Sequence, residues 1–287
     1  MRLKSMMMLW LIYSSLWAGP GTVSRVDIAS EILGREWPCK VYLPGGYDST
    51  ASRYPVVYLL HGSGGDENEW DRIYPVLDSL IAAGSIPPLI AVAPASGTSW
   101  WVDGRERFES AFFSDLIPAI DRQYRTIIRR EGRAVAGFSM GGYGALRYAL
   151  AHSDMFAAAT LLSPALYAQQ PPPESSARSS GTFGDPFQAE VWAARNYPAV
   201  LETYLLQQYR APVFILSGDD DWNHPEGFEY NIEQQAVLLY GLLNRKGGSP
   251  AELRIVNGGH NWRIWQPGFI AGIEYMMQFI AHPDSTN

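Results

Sequence analysis

A lone serine stands in "GFSMGG", residues 137–142, directly after the apolar run 133–138. A helical pattern follows from about Tyr143. Strand, tight turn and helix, in that order, form the setting in which a serine hydroxyl becomes an exposed nucleophile. Gly137 and Gly141 flank a bend where side chains would clash. A glycine-rich turn could instead cradle phosphate, but neither a Walker lysine nor a G-x-G-x-x-G pattern accompanies this one. A hydroxyl stays a weak nucleophile until a base takes its proton, and the base needs an acid to fix its tautomer. Both partners follow Ser139 in the chain. "SGDDDWN" supplies Asp219, Asp220 and Asp221 after the apolar run 211–218, and "NGGHNW" supplies His260 after the run 251–256. Serine, acid, histidine is the chain order of an α/β-hydrolase.

Among the three aspartates Asp221 is preferred, because a G-x-x-D turn brings the acid back towards the histidine loop; Asp219 is second. Asp219, Asp221 and His224 also suggest a metal site, which the lack of a second nearby histidine disfavours. No metal or organic cofactor is therefore expected.

A tetrahedral intermediate needs two N–H donors for its oxyanion. One is expected from Met140, the residue after the nucleophile, and one from the glycine-rich loop "HGSGG", where Ser63 is the candidate. His61, which opens that loop, is expected to brace it by hydrogen bonds, not to act as a base. His152 and His282 fall at helix ends or on the surface. Trp100, Trp101 and Trp262 stand where they either line a substrate pocket or anchor loops in the core, and Trp265 shares this ambiguity. Cys39 is the sole cysteine, so no intrachain disulfide can form, and it reads as a small structural residue.

These residues need a rigid frame. Two strands, about 23–32 and 36–43 with Gly34 between them, precede six short apolar runs at 55–60, 88–94, 133–138, 157–164, 211–218 and 251–256. Helical patterns separate the runs at 70–83, 107–124, 143–152, 228–246 and 267–281. The alternation implies an α/β fold, with a mostly parallel sheet between helices and an antiparallel N-terminal edge. The Pro- and Ser-rich stretch 168–187 breaks the rhythm. It is expected to start a small cap, about 168–210, over the carboxyl ends of the strands.

The 287 residues carry a formal charge of −7, which argues against a nucleic-acid partner. At the start, "MRLKSMMMLWLIYSSLWAGPG" has Arg2 and Lys4 before an apolar stretch and then small residues. That is the pattern of a signal peptide over 1–22, with 23–287 as one exported domain, secreted or periplasmic; the alternatives are a non-cleaved anchor or a start placed too early, which would make the protein cytoplasmic. The apolar stretch is too short for stable membrane insertion.

"YLLHGSGGDENEW", "GFSMGGYGALRYAL", "SGDDDWN" and "GGHNWRIW" together resemble the esterase D family of α/β-hydrolases, from about Val23 to Ile280. That family includes feruloyl and acetyl xylan esterases, S-formylglutathione hydrolases and mycolyltransferases. The resemblance implies Ser139 as nucleophile, Asp221 as acid, His260 as base, and Ser63 and Met140 as oxyanion donors. It departs at Ser63, where the family often has an apolar residue, so that wall of the pocket is more polar. The expected activity is hydrolysis of short-chain or aromatic acyl esters through an acyl-enzyme, with a small ester as partner. Acyl transfer to a sugar or lipid, and S-formylglutathione thioester hydrolysis, are the alternatives.

Overall fold

The computed structural model describes residues 19–222 and 227–283. Most of the expected leader lies outside the described residues, and so does His224. The chain orders its strands as β1 (Thr22–Ser30), β2 (Arg35–Leu43), β3 (Val56–Leu60), β4 (Ile90–Pro94), β5 (Arg133–Phe138), β6 (Ala158–Leu162), β7 (Val213–Gly218) and β8 (Ala251–Val256). They form one sheet in the order β1-β2-β4-β3-β5-β6-β7-β8. β1 pairs antiparallel with β2, and β2 with β4. Every later pairing is parallel. This is the α/β-hydrolase arrangement with its antiparallel N-terminal edge.

The central strands are apolar throughout because both faces are covered. Successive residues alternate between two cores. Val56, Tyr58 and Leu60 of β3 face one core, with Val135, Leu161 and Ile215 from β5, β6 and β7. Val57 and Leu59 face the other, with Ala136, Leu162 and Leu216.

Helices α1 (Tyr74–Ala82) and α9 (Trp262–Met276) close the second core. The first is covered by α2 (Phe108–Ala111), α3 (Ile117–Gln123), α4 (Met140–Ala151) and α8 (Ile232–Leu242), among others. A π turn at Phe112–Leu116 splits the single helix expected over 107–124. Pro118, at the start of α3, has no N–H to continue the ladder. α9 begins at Trp262 instead of Pro267, because the Asn261 side chain accepts from the Arg263 N–H and caps the helix there. The stretch after β6 holds α5 (Ser176–Ser179), α6 (Ala189–Arg195) and α7 (Tyr197–Tyr204). The last two had no clear sequence signature. Among the described residues no helix is long and apolar enough to cross a membrane.

Candidate active site

The site is assembled from turns at the carboxyl ends of β3, β5, β7 and β8. Ser139 leaves β5 with φ +56° and ψ −122°, a conformation costly for a residue with a Cβ. The surrounding backbone holds it. Its N–H donates to the Leu162 carbonyl at 2.9 Å, and its carbonyl accepts from the Ala165 N–H at 3.0 Å. A Cβ at Gly137 would strike the Gly141 carbonyl, and one at Gly141 would strike the Leu60 carbonyl. The bend therefore closes only with glycine at both places.

Ser139 Oγ lies 2.8 Å from His260 Nε2, and His260 Nδ1 lies 2.6 Å from Asp221 Oδ1. An aspartate beside Nδ1 fixes the proton on that nitrogen and leaves Nε2 to accept from the serine hydroxyl. Asp221 is fully buried. Its second oxygen accepts from the Ser217 hydroxyl at 3.2 Å and from the Gly218 N–H at 3.4 Å. The exposed Asp219 instead accepts from the Gly258 N–H at 2.9 Å, while its own N–H donates to Val256. Asp219 thus clamps the β7 turn to the β8 turn, and Asp221 meets the histidine. Such a line of groups can draw the proton off Ser139 and hold the imidazolium that results.

Met140 is the first residue of α4, where no intrahelical acceptor reaches its N–H. Gly62 and Ser63 line the same cavity as Ser139. His61 is buried and lies below them. Its Nδ1–H donates to the Gly62 carbonyl at 2.6 Å, and its Nε2 accepts from the Ser96 N–H at 2.8 Å. Burial pushes its pKa down to about 4, so the ring is neutral at ordinary pH.

The cavity measures about 750 Å³. Phe138, Trp222, Trp262 and Trp265 form an aromatic wall beside Ser139 and His260. Trp265 stacks on Phe138 at 4.6 Å, and its Nε1–H donates to Ser163 Oγ at 2.8 Å. The segment after β6 adds Pro172, Glu174, Ser175 and Ser176 to the lining, and Glu69 adds a second carboxylate. No lysine or arginine is among the described residues that line it.

Of the tryptophans expected at the substrate, Trp262 lies at the cavity, but Trp100 and Trp101 do not. Both are buried, at 2% and 0% exposure. Positive φ angles of 56° and 57° fold them back under α4, and Gly144 leaves the room that Trp101 occupies. Trp101 Nε1–H donates to the His61 carbonyl at 3.1 Å. Trp100 packs against Tyr143, Phe183 and Trp192, which ties the segment after β6 to the core. They anchor the site from behind. Trp222 and Ser217 escaped the sequence reading: a half-exposed tryptophan beside an aspartate carries no periodic signal, and Ser217 reads simply as the end of a strand. Among the described residues no group of three or more histidine, cysteine or acidic side chains could hold a metal ion.

Residues 30–276 match the family model named Esterase, described as "Putative esterase". An esterase of Mycobacterium tuberculosis is 37% identical over 254 residues, covering 78% of this chain and 52% of that protein. An endo-1,4-β-xylanase/feruloyl esterase of Xylanibacter ruminicola is 36% identical over 160 residues, 51% of this chain and 22% of that protein. The chain therefore spans about half of the first relative and about a fifth of the second. A ferulic acid esterase structure superimposes with a TM-score of 0.76 at 25% identity, covering 91% of this chain and 99% of that one.

Proposed function

The chain belongs to the Esterase family, and from that premise we propose that it is a serine hydrolase of carboxylic esters with short or aromatic acyl groups. The observation that carries the reading is the continuous hydrogen-bonded line Ser139–His260–Asp221, opening into a cavity with an aromatic wall.

Ser139 Oγ–H passes its proton to His260 Nε2 as Oγ bonds to the ester carbonyl carbon. The carbonyl oxygen becomes an alkoxide facing the N–H groups of Ser63 and Met140. Asp221 holds the imidazolium. Collapse breaks the bond to the alcohol, which leaves with the proton from Nε2, and the acyl group stays on Ser139. Water then enters by the same route, giving the free acid and restoring the serine.

The Glu69 carboxylate, with no lysine or arginine among the described residues that line the cavity, favours an uncharged alcohol such as a sugar hydroxyl over the anionic glutathione. Planar acyl groups suit the wall of Phe138, Trp262 and Trp265. The export expected from the leader remains part of the proposal.

The test is a hydrolysis panel of aryl acetate, butyrate, octanoate and methyl ferulate, run with and without a sugar acceptor. Turnover of acetate or ferulate that Ser139→Ala abolishes, with free acid as the product, is the expected outcome. Turnover surviving in Ser139→Ala would overturn the mechanism, and acylated sugar as the main product would overturn hydrolysis in favour of transfer.

A further inference from the structure

His260 has a neighbour that proton transfer alone does not require. Trp222 lays its indole on the imidazole with ring centroids 4.2 Å apart and planes 22° from parallel. Trp265 meets the same imidazole edge-on at 4.9 Å and 88°. Trp222 reaches this place through a φ of +48°, which is unfavourable for a bulky residue. It remains 46% exposed, so nearly half of its surface is left in water.

We propose that Trp222 is a positioning residue for His260. The inference rests on the reading of Ser139, His260 and Asp221 given above. Hydrogen bonds at Nδ1 and Nε2 fix the two ends of the imidazole but leave it free to rock about the line joining them. A ring pressed on its face removes that motion and keeps Nε2 aimed at Ser139 Oγ. While His260 holds the serine proton it carries positive charge, and the indole face attracts a cation. The contact therefore strengthens as the tetrahedral intermediate forms, which lowers the barrier instead of merely tightening substrate binding. Because Asp221 and Trp222 are consecutive, one turn after β7 grips the imidazole both in its plane and on its face.

The experiment compares Trp222→Leu and Trp222→Phe with the wild type on a small aryl acetate. It measures kcat, KM, Tm and the proton NMR resonance of the His260 Nδ1–H. Trp222→Leu should lower kcat about five- to tenfold, a larger effect than any change in KM from its place in the cavity wall, and should broaden the Nδ1–H resonance through faster exchange. Trp222→Phe should recover most of the loss. If leucine lowers Tm, Trp222→Met, of similar reach and without a π face, makes the same comparison. Wild-type kcat in the leucine variant, a change in KM alone, or a phenylalanine variant no better than leucine would each overturn the proposal. Ser139→Ala in the same assay separates the two claims. Activity surviving there defeats the underlying mechanism, whereas a dead Ser139→Ala beside a fully active Trp222→Leu defeats only the positioning role.

Discussion

His61 and His260 both follow parallel strands and both border the Ser139 turn, yet their surroundings assign them opposite work. His61 is buried, and both its nitrogens meet backbone groups, so its ring stays neutral and holds the Gly62–Ser63 loop in shape. His260 sits at the cavity with a carboxylate on one nitrogen and a hydroxyl on the other. A carboxylate stabilises the charged ring that burial among backbone dipoles opposes. In the proposed mechanism, what separates a brace from a base is the partner of Nδ1: a carbonyl for His61 and an aspartate for His260.

The largest effect should come from breaking the His260 side. Ser139→Ala or His260→Ala is expected to cut kcat on an aryl ester by about ten-thousandfold or more while Tm stays within a few degrees. Asp221→Asn should cost about a thousandfold or more, because the amide can present its N–H to Nδ1 and stabilise the wrong tautomer. Asp219→Asn should cost tenfold or less and lower Tm, since Asp219 clamps two turns together. Equal losses at the two positions would erase the distinction drawn between the aspartates.

On the other side, His61→Ala should act through stability. It orphans the buried Ser96 N–H and leaves a cavity, at about 2–4 kcal/mol in urea unfolding. Wild-type stability in that variant would show that His61 braces nothing.

The same ring carries a pH signature. Folding pushes its pKa from 6.5 down to about 4, so between those values the unfolded chain binds the extra proton. Stability therefore falls as pH drops through that window. Its contribution should diminish by about 2 kcal/mol between pH 8 and pH 5, and a His61→Gln variant should lack that part of the slope. The smallest effect belongs to Trp101→Phe, which removes one hydrogen bond to the His61 carbonyl. It should lower stability by about 1 kcal/mol with KM unchanged within about twofold. A large rise in KM would return Trp101 to the substrate.

Much of the frame could be read from local pattern. Six apolar runs became six parallel strands, and the Ser139 bend lies where its glycines implied. Asp221, preferred over Asp219 for its place in the turn, lies within hydrogen-bond reach of His260, but the turn is only half of the reason. The other half is the Asp219–Gly258 bond, which spans 39 positions and leaves no local trace. Trp100 and Trp101 show the opposite failure. A tryptophan at a strand end fits a pocket wall and a core equally well, and only two positive φ angles and the space at Gly144 sent these inward. Helices α6 and α7 were hidden in a stretch expected only as a small cap, whose opening prolines and serines carry no helical period.

The most direct measurement is labelling with an organophosphonate ester probe, followed by peptide mapping, in the wild type, His260→Ala and His61→Gln. The expected result is a single adduct on Ser139, formed at near wild-type rate in folded His61→Gln and more than about a hundredfold slower in His260→Ala. An adduct elsewhere, or labelling of Ser139 that is as fast without His260 as with it, would contradict the division of labour between the two histidines.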